Sequence, residues 1–143
     1  MTLADALVYA DTEVGCEKIC ELSTLTGSCI VSLGRGMAGV WTADDELAGE
    51  IEAASKTTKE KTWRMPMVTE YKDQLDSKIA DLKNLGTRWG GSITAALFLQ
   101  HFVNEEKPFA HIDIAGPAWS EKDGVATGYG AKMMYEWIRQ QGV

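Results

Sequence analysis

Leu3, Ala6, Leu7 and Ala10 recur at helical spacing, so residues 2–13 read as an amphipathic helix closed by Gly15. Residues 19–25 then read as a short strand leading into Thr26-Gly27-Ser28. Residues 29–33 are apolar-rich but too short for their period to separate helix from strand. Residues 38–42, β-branched and aromatic, predict a strand. Thr42 followed by Asp44, Asp45 and Glu46 marks a helix start, a capping hydroxyl with acids near the positive end of the dipole. That helix is expected to reach about residue 59.

Pro66 pushes its predecessor out of the helical region, so residues 64–67 are extended. Residues 70–92 are polar and punctuated by Gly86, Gly90 and Gly91, with a short strand expected at 78–82. Residues 93–103 are apolar nearly all round and predict a buried helix, with His101 a packed core residue. Residues 110–115 predict a strand with Ile112 and Ile114 on one face, stopped by Gly116-Pro117. Residues 132–141 close the chain as a helix with Met133, Met134, Trp137 and Ile138 inward. Alternating strands and crossover-length helices predict an α/β fold with a largely parallel sheet. No repeat, low-complexity stretch or linker divides residues 1–143, which read as a single unit.

Composition narrows this only by exclusion. A chain of 143 residues, 45% hydrophobic and 24% charged, is neither a disordered segment nor a disulfide miniprotein. No apolar run approaches the ~18–20 residues of a membrane helix, so no membrane partner is expected. Asp5, Asp11, Glu13 and Glu17 fill an N-terminal stretch that lacks a basic start, so no secretory signal is expected. Fourteen Lys+Arg against 21 Asp+Glu give −7, and the densest basic stretch, 56–64, is broken by Glu60. Without a basic cluster, nucleic acid is not an expected partner. Cys16, Cys20 and Cys29, with only His101 and His111 to join them, make no zinc ligand set and read as reduced thiols of a cytoplasmic protein.

The motifs are weak in isolation. Gly34-Arg35-Gly36-Met37-Ala38-Gly39 spells a dinucleotide fingerprint, but strand-like Val40-Trp41-Thr42 follows where a helix N-terminus is required. Gly90-Gly91-Ser92-Ile93-Thr94 nears a nucleophile elbow but has Thr for the second glycine. His111 and Asp113 share a strand face and read as a mutually hydrogen-bonded buried pair. Thr24-Leu25-Thr26-Gly27 is a strand end entering a small-residue turn, either a ligand site or a plain turn.

Longer segments carry more. Met1-Thr2-Leu3-Ala4-Asp5-Ala6-Leu7-Val8-Tyr9-Ala10 resembles the segment immediately after the signature of the leucine aminopeptidase (cytosol aminopeptidase) family of two-metal exopeptidases. Further matches to that family are Leu22-Ser23-Thr24-Leu25-Thr26-Gly27, Ala80-Asp81-Leu82, Gly90 to Ala96 with Phe98-Leu99, His111 to Trp119, and Thr127-Gly128-Tyr129-Gly130. They run in order along the whole chain.

The resemblance implies the C-terminal portion of a mixed, largely parallel sheet flanked by helices, zinc-exopeptidase-like, which in the family assembles into hexamers. It implies peptide substrates and two divalent metal ions, zinc or manganese. The family's metal ligands and its catalytic lysine and arginine lie before or within the signature, so no residue of this chain inherits a catalytic or metal-binding role. Substrate contacts do carry over. Thr24 and Gly27 resemble residues lining the pocket for the first side chain, with Thr26 between them, and Leu25 one whose backbone contacts substrate or an anion. Ala115 and Ala118 match the far side of that pocket, and Leu85 an apolar residue for the second side chain. His111 and Asp113 become structural on this view. Alone, the chain is expected to be inactive and to bind no metal, with residues 93–103 and the Ile112/Ile114 strand exposing apolar surface. The alternative is a truncated, catalytically inactive binding or assembly module.

Overall fold

The computed structural model describes residues 1–142. In chain order the elements are α1 (Thr2–Tyr9), β1 (Ile19–Ser23), α2 (Gly27–Leu33), β2 (Ala38–Trp41), α3 (Asp45–Thr58), β3 (Thr62–Arg64), α4 (Gly91–Gln100), β4 (Phe109–Asp113), β5 (Trp119–Ser120), β6 (Val125–Ala126) and α5 (Ala131–Gln140). A π-helical turn, Ala10–Val14, extends α1, and a 3-10 helix, Thr69–Leu75, leads towards α4. None of the described helices is long and apolar enough to cross a membrane.

Four strands form one sheet in the order β1-β4-β2-β3. β1 pairs with β4 and β2 with β3 in parallel, while β2 and β4 are antiparallel, so the sheet is mixed and mostly parallel as expected. Side chains alternate across a strand, and the register therefore sorts them into two faces. One face presents Ala38, Val40, Ala110 and Ile112 to α3 and α5, whose Leu47, Ile51, Ala54 and Met133 complete an apolar core. The other presents Ile19, Glu21, Ser23, Trp41, Phe109, His111 and Asp113. Ala4 and Leu7 of α1 and Leu97, Phe98 and Leu99 of α4 cover its Ile19 and Phe109 end. Cys29 of α2 and Ala96 of α4 pack on Trp41. Gly39 permits this, because a Cβ there would lie 2.5 Å from the Trp41 ring.

Several local expectations move. Residues 29–33 are the body of α2, with Thr26 as its cap, accepting from the Cys29 N–H at 3.0 Å. The cap of α3 is Asp44, which accepts from the Leu47 N–H at 2.7 Å, while Thr42 Oγ1 accepts from the Asp44 N–H and orders the preceding turn. No strand forms at 78–82: Ser77 Oγ accepts from the Ala80 N–H at 3.1 Å in a bend, and Ile79 stands 98% exposed. α4 ends at Gln100, so His101, expected in the core, is its exposed C-cap and only edges Phe102. Ile138 is 50% exposed, because Met133 and Glu136 occupy the buried side of α5. Residues 93–103 and Ile112 do not expose the apolar surface expected of them. Leu97, Leu99 and Ile112 are each 2% exposed or less.

His111 and Asp113 are both fully buried but do not bond to each other. Two residues apart on a strand they stand about 6.6 Å from one another, beyond hydrogen-bond reach. His111 Nδ1 instead meets Glu21 Oε2 at 2.5 Å across the β1–β4 pairing, with Trp41 stacked on its ring at 5.6 Å.

Candidate substrate-binding site

The site grows from the carboxyl end of β1. Ser23 O accepts from the Ile114 N–H at 2.8 Å, the last rung that holds β1 beside the end of β4. Beyond it the chain must turn into α2, and Thr26 makes that turn in extended conformation, φ −130° and ψ 135°. Asp113 fixes the turn. Its Oδ2 accepts from the Thr26 N–H at 3.0 Å and from Thr26 Oγ1 at 2.7 Å. Its Oδ1 accepts from the Ala115 N–H at 3.0 Å. One buried carboxylate thus clasps the Thr24–Gly27 segment to the segment after β4. Three donors satisfy its charge in place of water.

A cavity of about 400 Å³ opens beside this turn. Leu25, Thr26 and Gly27 form one wall, Leu75, Leu85 and Arg88 another, and Gly91, Thr94 and Ala95 of α4 the third. The loop carrying Leu85 is held by Gln74, whose Oε1 accepts from the Thr87 N–H at 2.9 Å and from Thr87 Oγ1 at 2.8 Å. Gly86 has to be glycine for that approach, since a Cβ would lie 2.8 Å from Thr94 Oγ1. Leu85 itself is 78% exposed, an apolar side chain free to meet a ligand.

Four of the seven residues singled out in the sequence, Leu25, Thr26, Gly27 and Leu85, therefore line one cavity although about sixty positions separate them in the chain. Thr24 is exposed and outside it. Ala115 and Ala118 are half-buried on the far side of Asp113, with the Ala118 N–H donating to Ile114 O at 3.0 Å. The sequence reading missed Asp113 as the clasp. Thr26 lying three residues before Cys29, at cap spacing, is the signal that could have revealed the helix and its anchor. Arg88 left no signal at all, since it belongs to no motif.

The arrangement binds better than it reacts. Burial, followed by the charge of Asp113, pushes the Cys29 thiol up to about 11, so it is protonated at neutral pH and no nucleophile. Burial likewise pushes Cys20 up to about 12. Among the described residues no three His, Cys, Asp or Glu side chains converge in a metal-holding group. The Asp113 carboxylate is saturated by its three donors, and Glu21 and His111 face each other inside the sheet. This donor set does not fit a two-metal centre.

Comparison with known proteins adds the family context. The catalytic-domain model of the cytosol aminopeptidase family matches residues 1–135. Leucine aminopeptidase 2, chloroplastic, of Arabidopsis thaliana is 52% identical over 139 residues, covering 97% of this chain and 24% of its own length. A probable cytosol aminopeptidase of Synechococcus sp. (strain JA-3-3Ab) is 50% identical over 96% of this chain and 28% of its own length. A solved mutant of tomato leucine aminopeptidase superposes with a TM-score of 0.94 at 47% identity, over 97% of this chain and 27% of that one. The chain spans about a quarter of the length of these relatives.

Proposed function

The chain belongs to the cytosol aminopeptidase family, and from that premise we propose that it walls the substrate pocket of a hydrolase that removes N-terminal residues, leucine among them, from peptides. The observation that carries this reading is the cavity shared by Leu25, Thr26, Gly27 and Leu85. Within this cavity Gly27 makes room for a substrate side chain, the Leu25 backbone faces the peptide and Leu85 packs on the second side chain. Thr24, Ala115 and Ala118, which lie outside it, bound the first side chain by the family resemblance. An apolar pocket with a few fixed polar groups suits a leucine-sized residue.

In the family two divalent ions, zinc or manganese, supply the hydrolytic chemistry. The residues of this chain offer them no ligand set, so its part is to bind and orient, and the 143-residue chain alone releases no leucine. By the family resemblance the natural protein is a homo-oligomer, a hexamer in the family. Three free cysteines suit a cytoplasmic setting.

The test is leucine release from leucyl anilide, with added manganese or zinc, by the natural protein that carries this sequence. A Cβ at Gly27 meets nothing within 4 Å, so a side chain started there enters open space beside the cavity, and Gly27→Phe is the variant chosen to fill the pocket. It should lower kcat/KM for the leucyl substrate by about tenfold or more, the scale of a lost apolar side-chain site. Release by the 143-residue chain alone, or none by the natural protein, would overturn the proposal.

A further inference from the structure

Three of the chain's four arginines hold a carboxylate: Arg35 meets Glu121 at 2.6 Å, Arg64 meets Asp45 at 2.7 Å, and Arg139 meets Glu136 at 2.8 Å. Among the described residues Arg88 has no such partner. It is also the one charged residue on the wall of the 400 Å³ cavity, whose remaining lining is apolar or uncharged. Its guanidinium lies 5.3 Å from the centre of the Trp89 ring. Stacking of this kind orients the planar group without using any of its N–H donors. The loop that carries it is pinned through Thr87 to Gln74. An acidic chain thus places on the lining of an otherwise uncharged cavity one cation that has no carboxylate partner among the described residues.

We propose that Arg88 recognises the terminal carboxylate of a very short peptide whose second residue occupies this cavity, which makes dipeptides the favoured substrate class. The inference rests on the aminopeptidase reading. In a dipeptide the second residue ends in a carboxylate, while in a longer peptide the same position is an uncharged amide. Guanidinium and carboxylate match as planar, two-pronged partners. Arg88 is exposed, so the pair forms at small desolvation cost and weakens with salt.

The experiment compares kcat/KM of the natural protein for leucyl-leucine and for leucyl-leucinamide, which differ only in that charge. The free acid should be favoured by about fivefold at low salt, the range of an exposed charge pair. Arg88→Gln should bring the ratio near one, chiefly by raising KM for the acid, and Arg88→Lys should keep part of it. Arg35→Gln, which removes a charge away from the cavity, should leave the ratio unchanged. An unaltered ratio in Arg88→Gln, or no preference in the natural protein, overturns the proposal. If leucyl anilide is not hydrolysed at all, the aminopeptidase reading fails by itself. Calorimetric binding of the two dipeptides to the natural and Arg88→Gln proteins then decides the carboxylate site separately, and equal binding of acid and amide overturns it.

Discussion

The two faces of the central sheet use the same four strands in opposite ways. Towards α3 and α5 every buried strand side chain is apolar, and Ala38, Val40, Ala110 and Ile112 interlock with Leu47, Ile51 and Met133. Polar groups on that side stay at the margin. Lys18 binds Glu50, and Trp137 Nε1 donates to the same carboxylate at 2.9 Å. The opposite face buries Glu21, His111 and Asp113 in a row beneath α2 and α4. There Glu21 Oε1, Ser23 Oγ, Trp41 Nε1 and His111 Nε2 lack a protein partner. The first face is built for stability, because apolar burial needs no exact partner. The second carries polar groups whose cost is offset only where their bonds are made, and Asp113, holding the turn before α2, meets that condition here.

Replacing Asp113 by Ala should separate the faces most sharply. It removes the acceptor of the Thr26 and Ala115 N–H groups and of the Thr26 hydroxyl together, and should cost about 4 kcal/mol in urea unfolding, three partly buried donors at the low end of the usual penalty. Hydrogen exchange at Thr26 and Ala115 should accelerate while that of β2 stays slow. Ile112→Ala on the apolar face should cost about 3 kcal/mol and loosen the sheet as a whole, the range for a buried large-to-small change. A smaller loss for Asp113→Ala than for Ile112→Ala would erase the contrast.

The Glu21–His111 pair tests whether polar burial on that face stabilises at all. Glu21→Leu alone should cost about 2 kcal/mol, since the His111 Nδ1 loses its buried partner. Combined with His111→Phe the loss should fall towards zero, because two apolar groups replace two polar ones. A double variant as unstable as the sum of the singles would show that Glu21 and His111 contribute independently, and would overturn the pairing.

The mildest effect lies at the edge of the apolar face. Bonds from Arg139 and then Gln140 hold the Glu136 carboxyl down to about 2. A carboxyl lowered on folding stabilises above its unfolded value, about 4.3, and loses that contribution as pH falls towards 2. Glu136→Gln should therefore flatten stability between about pH 4.5 and pH 2 in acid titrations followed by circular dichroism.

Legibility in the sequence followed how local the cause was. The acids at 44–46 and the period of α3 announce that helix, and the alternation of residues 110–115 announces β4. α2 was illegible, because five apolar-rich residues have no measurable period and its cap acts through a carboxylate 87 residues away. His101 misled for a related reason: an apolar stretch does not show where its helix stops. Family resemblance named seven candidate residues, yet residue spacing could not say that only Leu25, Thr26, Gly27 and Leu85 of them share a cavity.

By itself, then, the sequence determined the longer helices, the strands β1, β2 and β4 and the family, because hydrophobic period and motif wording are properties of neighbouring residues. Only the tertiary structure decided that Leu85 and Arg88 line one cavity with Leu25, Thr26 and Gly27. That meeting depends on the β1–β4 register and on the clasp of Asp113, contacts between residues far apart in the chain that no local pattern records.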